Sequence, residues 1–439
     1  MQNISTPIQI ALSKLGIETL TPMQNEAIKA CSGQQDVILL SPTGSGKTLG
    51  FLIPLVESFT ANEEGIQALI LTPSRELAIQ IEQVFKKLTT DFKVNCCYGG
   101  HSTKIERNNL SHPPTLLVGT PGRIADHIRR GIIDTRGIKT LVLDEFDKAL
   151  EFGFQNEMVY IIDNLTLKKR ILTSATKSES IPLFTGITNP IELNYLSTEQ
   201  PQRLVVKKVI ANGKDKLDAL YRLICTLGNA TTLIFCNHRE AVGRISDLLY
   251  QKGLEHDIFH GGLEQDDRER ALIKFRNGSH HLLITTDLAS RGLDIPEIKH
   301  IIHYQLPQTE DVFIHRNGRT ARMTANGSAY LILGEEDYLP NFIEGDVEEQ
   351  DISAILPPPA QPEWVTLYIS AGKKDKINKV DIVGLLLQKG GLAKNELGLI
   401  EVLDKTSYVA INRKKAGETV RLLRDETLKR KRIKMEISE

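Results

Sequence analysis

Short, almost wholly apolar runs recur through the first half of the chain, with amphipathic stretches between them. The clearest are residues 37–40 (Val37-Ile38-Leu39-Leu40), 68–71, 115–118, 140–143 and 170–172. A run that short, with no polar alternation, suits a strand covered on both faces. Helical segments between such strands predict a parallel, doubly wound sheet with ligands at the carboxyl ends of its strands. The pattern returns at 232–235, 281–285, 300–303 and 328–333. Prolines then crowd Ile355-Leu356-Pro357-Pro358-Pro359-Ala360-Gln361-Pro362, the mark of a semi-rigid spacer. Beyond it, 364–370 alternates like a strand and 379–389 reads as an amphipathic helix. Residues 399–403 and 408–412 read as a strand pair, 416–424 as a second helix and 433–437 as a last strand. The expected fold class is α/β. Two parallel-sheet domains should span 1–200 and 201–350, a proline-rich linker 351–363, and an α+β module of order βαββαβ 364–439.

Composition narrows the class of partner. The 439 residues are 41% hydrophobic and 25% charged, ordinary for a water-soluble protein. No apolar run approaches the ~20 residues of a membrane helix. Met1–Ser5 lacks the basic start of a signal peptide. Cys31, Cys96, Cys97, Cys225 and Cys236 form no Cys-x-x-Cys pair, so reduced thiols are expected, with neither zinc nor disulfides. These features point to a cytoplasmic monomer with no membrane partner. The net charge of −1 hides an asymmetry: residues 365–439 carry 17 Lys and Arg against 10 Asp and Glu. That is a net of +7, leaving −8 on the rest. A basic terminal module on an acidic body fits a polyanion partner.

The chemistry starts at the end of the first apolar run. Ser41-Pro42-Thr43-Gly44-Ser45-Gly46-Lys47-Thr48 is a Gly-rich turn ending in Gly-Lys-Thr, with Ser41 where Gly is usual. Its glycines let backbone N–H groups converge on phosphates. Lys47 supplies charge at the β/γ-phosphates, and the Thr48 hydroxyl can ligate Mg²⁺. A second apolar strand ends in acid, Leu141-Val142-Leu143-Asp144-Glu145-Phe146-Asp147. Asp144 is placed to hold Mg²⁺, and Glu145 to orient or deprotonate a water. The combination predicts hydrolysis of a nucleoside triphosphate with Mg²⁺.

Read in order over residues 16–325, the motifs resemble those of the DEAD-box RNA helicases, and the terminal module resembles that of the bacterial DbpA-like subgroup. That resemblance implies two RecA-like domains and a terminal RNA-recognition-type module. Thr21-Pro22-Met23-Gln24 resembles the adenine-reading motif, Gln24 offering both a donor and an acceptor. Upstream lies only Gly16-Ile17, without the family's aromatic. Pro73, Arg75, Gly100, Thr120 and Arg123 are similar to RNA-backbone contacts of the first domain, and Gly261, Gln265, Arg268 and Thr286 to those of the second. Gly292 and Asp294 resemble nucleotide contacts. Asp147, Ser174, Thr176, Asp287 and His315 resemble groups that couple hydrolysis to RNA opening. Phe146 replaces the usual Ala.

In His315-Arg316-Asn317-Gly318-Arg319-Thr320-Ala321-Arg322, the i, i+3, i+6 spacing predicts three arginines along one side of a helix. The resemblance makes Arg319 and Arg322 arginine fingers, an effect worth about 10³–10⁵ in rate. In the module, Tyr368 and Tyr408 lie on the central strands, as stacking platforms or as packing residues. Lys373, Lys374 and Lys376, with the basic run 429–434, are candidate RNA contacts. The implied function is RNA-stimulated ATP hydrolysis coupled to local duplex unwinding. The implied partner is structured large-subunit ribosomal RNA, with a pre-ribosomal particle as its setting. Two other readings are an ATP-gated RNA clamp with little unwinding and a translocating helicase of the same superfamily.

Overall fold

Val37, Ile38, Leu39 and Leu40 are all buried, as are all four positions of 68–71 and of 116–119 in the same sheet, so these apolar runs need both faces covered. The computed structural model describes residues 4–438 except 43, 62, 90, 101–102, 178–180, 197–203, 212–215, 291–297, 321–326, 344 and 430. The first sheet holds β1 (Val37–Leu40), β2 (Ala68–Leu71), β3 (Val94–Cys97), β4 (Leu116–Gly119), β5 (Thr140–Leu143), β6 (Lys169–Ser174) and β7 (Ile191–Asn194). All pair in parallel, in the order β3-β4-β2-β5-β6-β1-β7.

The second sheet, again parallel, holds β8 (Leu204–Ile210), β9 (Thr232–Phe235), β10 (Asp257–Phe259), β11 (Leu282–Thr285), β12 (His300–His303), β13 (Gly327–Leu333) and β14 (Glu348–Glu349). Its order is β10-β11-β9-β12-β13-β8-β14. The third is antiparallel, with β15 (Trp364–Ile369), β16 (Leu397–Val402) and β17 (Ser407–Asn412). A short hairpin of β18 (Thr427–Leu428) and β19 (Lys431–Arg432) precedes its last strand, β20 (Met435–Ile437). The chain divides into two units, the first sheet in one and the second and third together in the other. Two RecA-like parallel sheets plus a terminal antiparallel module is the fold class that the alternation of runs predicts.

Local signals set the helix starts that matter for the site. Thr21 caps Pro22–Ser32 in a reciprocal box with Gln24, and the Ser74 hydroxyl caps Arg75–Leu88 at Leu77 N–H. Leu77, Ala78, Ile81, Phe85 and Leu88 then form the buried stripe of the second helix. In the module, Leu367, Ile369, Val409 and Ile411 pack with Ile382 and Leu386 of helix Lys379–Gln388. The other sheet face carries Trp364, Thr366 and Tyr368, opposite Asn412, Ala410 and Tyr408.

Two expectations are corrected. The arginines do not share a helix side, because helix Glu310–Asn317 ends at Gly318. Arg316 is wholly buried, Arg319 lies beyond the helix and is also buried, and Arg322 lies outside the described residues. The second helix of the module starts earlier than expected, at Arg413, where the Asn412 side chain accepts from Lys414 N–H.

Candidate functional site

The strand order separates two sets of residues along one edge of the first sheet. β1, β6 and β5 are neighbours, and their carboxyl ends carry the Gly-Lys-Thr loop, Ser174-Ala175-Thr176 and Asp144. β2, β4 and β3 form the other half, and their carboxyl ends lead to Pro73–Arg75, Thr120–Arg123 and Gly99–Gly100. The candidate phosphate groups and the candidate RNA groups therefore come from opposite halves of one sheet.

In the first half, Gly44 and Gly46 adopt left-handed φ of 84° and 85°, which glycine reaches without strain. A Cβ on Gly46 would collide with the Gln24 side-chain amide. Gln24 Nε2 donates to the Gly46 carbonyl at 3.2 Å, and its Oε1 accepts from Thr21 N–H at 2.9 Å. Each end of the amide keeps a second donor or lone pair for a ligand. Ser41 fits where Gly is usual because its hydroxyl bonds that of Ser45 at 2.8 Å, tying the loop's first and fifth residues. Lys47 Nζ donates to the carbonyls of Ser41 and Pro42, so the amine lies inside the loop. Thr48 is half-buried beside it; Thr43 lies outside the described residues.

Thr173, which the motif reading passed over, organises the acidic turn. Its hydroxyl donates to Asp144 Oδ1 and accepts from Glu145 N–H at 3.2 Å. Burial pushes the Asp144 carboxyl above the usual carboxylate range, against the pull of the Thr173 hydroxyl and Lys47. Glu145 sits in the left-handed region at φ 49°, a strained position for a side-chain-bearing residue, which turns the chain sharply from strand to helix. Asp147 Oδ2 accepts from the Thr176 hydroxyl at 2.9 Å, and Ser174 Oγ bonds Thr176 at both its N–H and its carbonyl. The structure thus joins Asp147, Ser174 and Thr176. Phe146 is accommodated in the core against Phe184, with ring centroids 6.2 Å apart.

In the other half, a Cβ on Gly100 (φ 92°) would lie 2.7 Å from Arg75 Nη1, so this glycine makes room for the guanidinium, which also lies over Tyr98. Glu106, absent from the motif reading, is the hub. Its carboxylate accepts from Arg123 Nη1 at 2.9 Å and Tyr98 N–H at 3.2 Å, and faces His127 Nε2 at 2.7 Å. Thr120 stands at the start of helix Pro121–Arg129, which carries Arg123, without a capping bond from its hydroxyl.

In the second unit, Gly261 lies in the turn after β10, and Gln265 and Arg268 on helix Gln265–Arg276, Arg268 largely buried. Thr286 follows β11. Arg316 gathers three strand ends: it bonds Asp287 at 2.6 Å, the Gln305 carbonyl at 2.9 Å and Asn237 Oδ1 at 2.7 Å, over the ring of Phe235. His315 is buried next to it. Gly292 and Asp294 lie outside the described residues. In the module, Lys373, Lys374 and Lys376 are exposed on one loop. The hairpin meets that loop: Lys429 Nζ donates to the Lys376 carbonyl, Lys431 pairs with Asp375 at 2.6 Å, and Lys434 N–H donates to Ser370 Oγ. The two basic segments of the sequence form one rim.

Two doubly wound sheets, the first with a Gly-Lys-Thr loop beside a buried acidic strand end, define a RecA-like ATPase. Residues 21–183 match the DEAD/DEAH box helicase family, 215–324 the helicase conserved C-terminal domain and 366–437 the DbpA RNA binding domain. The ATP-dependent RNA helicase DbpA of Escherichia coli is 31% identical over 99% of this chain and 98% of its own length. That of Bacillus subtilis is 32% identical over 98% and 97%. Among solved structures, Mss116p bound to single-stranded RNA and AMP-PNP is similar at TM-score 0.68 and 25% identity, over 76% of this chain and 73% of that one. S. cerevisiae Dbp5 bound to RNA and ADP BeF3 shares the fold at TM-score 0.69 and 24% identity, over 76% and 88%. The chain belongs to the DEAD-box ATP-dependent RNA helicases of the DbpA type. No helix among the described residues is long and apolar enough to cross a membrane.

Proposed function

We propose that this helicase opens short duplexes in large-subunit ribosomal RNA during ribosome assembly, as a cytoplasmic monomer that uses ATP with Mg²⁺. The observation that carries the reading is the basic rim of Lys373, Lys374, Lys376, Lys429, Lys431 and Lys434, on a terminal module of net +7. Phosphate contacts of the core carry no sequence information, so a preference among RNAs has to come from elsewhere, and the rim is the surface with the charge to supply it.

The division of labour follows the proposed domains, residues 1–200, 201–350 and 364–439, joined by 351–363. Gly44, Gly46 and Lys47 cradle the triphosphate, with Thr21 and Gln24 at the base. Thr48 and Asp144 hold Mg²⁺, for which the desolvated Asp144 carboxyl is suited. Bound Mg²⁺ neutralises charge on the phosphates. Glu145 orients and deprotonates the attacking water, while Asp147, Ser174 and Thr176 relay the change to the RNA groups. Arg319 and Arg322 belong to the second domain, so hydrolysis requires closure, and RNA that spans both domains favours the closed state by binding it better. Duplex bent across that cleft loses a few base pairs.

The test compares ATPase stimulation by large-subunit ribosomal RNA and by an unrelated structured RNA. Replacing Lys373, Lys374 and Lys376 together by Ala should abolish the preference and leave a weak, general response. Wild-type protein that answers both RNAs equally would overturn the ribosomal target. Long-lived RNA complexes without strand separation would favour the clamp.

A further inference from the structure

Thr173 stands on β6, the strand that lies between the phosphate-loop strand β1 and the acidic strand β5. Its backbone is fixed from both sides. It pairs with Leu39 of β1, and the residue before it, Leu172, pairs with Leu143 of β5. The residue after it, Ser174, accepts from Ser41 N–H at 3.0 Å, which ties this strand end to the start of the loop. The Thr173 side chain is wholly buried and β-branched, so its χ1 has little freedom. Within that confinement the hydroxyl serves two groups. It accepts from Glu145 N–H, and its one proton goes to Asp144 Oδ1.

What holds each oxygen of a carboxylate decides how that carboxylate meets a cation. Asp144 is 4% exposed on a fixed strand end, so it cannot swing away from Thr173 to solvent. Oδ1 is committed to the hydroxyl, and an arriving ion meets Oδ2. Mg²⁺ is small, demands a nearly ideal octahedral shell and keeps several waters, so one carboxylate oxygen suits it. Ca²⁺ is larger, tolerates irregular shells and readily takes both oxygens of one carboxylate. A hydroxyl that occupies one of the two oxygens therefore costs Ca²⁺ more than it costs Mg²⁺. Hydrogen bonds of this kind, one step out from the ion, fix the orientation of ligating carboxylates.

We propose that Thr173 sets the metal specificity of the ATPase: its hydroxyl holds Asp144 Oδ1, so that the carboxylate offers a divalent cation one oxygen, which admits Mg²⁺ and disfavours Ca²⁺. Thr173 acts through Asp144, as a positioning residue. The proposal rests on the reading of Asp144 as a Mg²⁺ ligand given above, and goes beyond it in naming what selects the ion. A residue that merely satisfied a buried carboxylate would, once removed, weaken both ions alike. The specificity role changes the ratio between them.

The test is a binding measurement on the full chain. A fluorescent mant derivative of AMP-PNP is titrated with Mg²⁺ or with Ca²⁺ alone, and the concentration of each ion that gives half-maximal nucleotide binding is read. The same nucleotide is used throughout, so the ion's affinity for free nucleotide cancels between variants. Wild type should need less Mg²⁺ than Ca²⁺. Thr173→Val keeps the shape and deletes the hydroxyl; it should raise the Mg²⁺ requirement by about tenfold and leave the Ca²⁺ requirement unchanged or lower. Thr173→Ser should restore the wild-type ratio. In steady-state ATPase with Mg²⁺, Thr173→Val should also be half-inhibited at a lower Ca²⁺ concentration than wild type. Thermal unfolding in EDTA shows whether the Val variant folds; where it does not, Thr173→Ala removes the same hydroxyl with less bulk and takes its place. Requirements for the two ions that rise equally, or a ratio that stays at the wild-type value, overturn the specificity role alone. Wild-type binding that neither ion promotes, and that Asp144→Ala leaves as it is, overturns the Mg²⁺ reading itself and the proposal with it.

Discussion

At the scale of single residues, the phosphate loop was legible and its supports were not. Gly-Lys-Thr after an apolar run has few other uses, but nothing in the sequence marks Thr173 as the hydroxyl that serves both Asp144 and Glu145. A Thr inside a strand reads as strand propensity. Glu106 was invisible for a similar reason, since a lone Glu on a short helix reads as solvent-facing, yet it is 2% exposed and holds Arg123 and His127. Two outcomes follow. Lys47→Ala and Glu145→Gln should each bring RNA-stimulated ATP turnover below about a tenth of wild type, with the thermal unfolding midpoint almost unchanged, because neither opens a core cavity. Glu106→Ala should behave differently. It removes the carboxylate that the half-buried Arg123 guanidinium, the Tyr98 N–H and the buried His127 ring share, a loss of about 1–3 kcal/mol for a buried group left unsatisfied, and should lower that midpoint by several degrees. Glu106→Gln keeps part of the acceptor set and should lose less stability while still raising the poly(A) concentration needed for half-maximal ATPase, with KM for ATP unchanged.

At the scale of elements, the runs that announced themselves were those covered on both faces. β1 and β2 are continuous apolar stretches, β5 and β9 are apolar after a leading Thr, β12 has two isoleucines between histidines, and all five stand where the pattern put them. β3, β7, β8, β10 and β14 are edge or near-edge strands with polar positions, such as Val94-Asn95-Cys96-Cys97 and Glu348-Glu349, and their pattern is no different from a loop's. The arginine stripe failed because spacing was read as helix through Gly318, where the helix stops; what the spacing marked instead was Arg316, a clamp inside the second sheet's edge. That clamp has an acid-sensitive neighbour. His303 lies between the rings of Phe235 and Phe313, and burial, with Arg316 nearby, pushes its imidazole down to about 3. The folded value is below the unfolded 6.5, so the unfolded chain binds the extra proton and stability falls as pH drops below 6.5. From this residue alone the fall between pH 7 and pH 5 is about 2 kcal/mol. Urea unfolding of wild type and His303→Phe at the two pH values checks it: the variant should lose less stability on acidification by about that amount.

At the scale of the whole molecule, composition said that the terminal module carries the positive charge, and the structure adds where it points. The sheet face that the βαββαβ order would have nominated is closed by Asn277, Ser279 and Arg276, while the lysines of loop 373–376 and of the hairpin stay at the surface. Sequence could not anticipate this, because a contact between residues about 90 positions apart leaves no local pattern. The consequence is measurable in salt. Each single-stranded phosphate neutralised by a lysine contributes about 0.7 to the slope of log affinity against log salt. Replacing Lys373, Lys374 and Lys376 by Ala should therefore flatten that slope by about two for large-subunit ribosomal RNA, and weaken binding most at low salt. Replacing Tyr368 and Tyr408 on the closed face by Ala should leave the slope as it is, since aromatic rings in a packed contact neutralise no phosphate. Removing residues 364–439 altogether should take the salt dependence down further and leave an acidic core of net −8 that still hydrolyses ATP in response to RNA, without preference among RNAs. A truncated protein that kept both the slope and the preference would place RNA recognition in the two RecA-like domains, and the rim would then be an ordinary solvated surface.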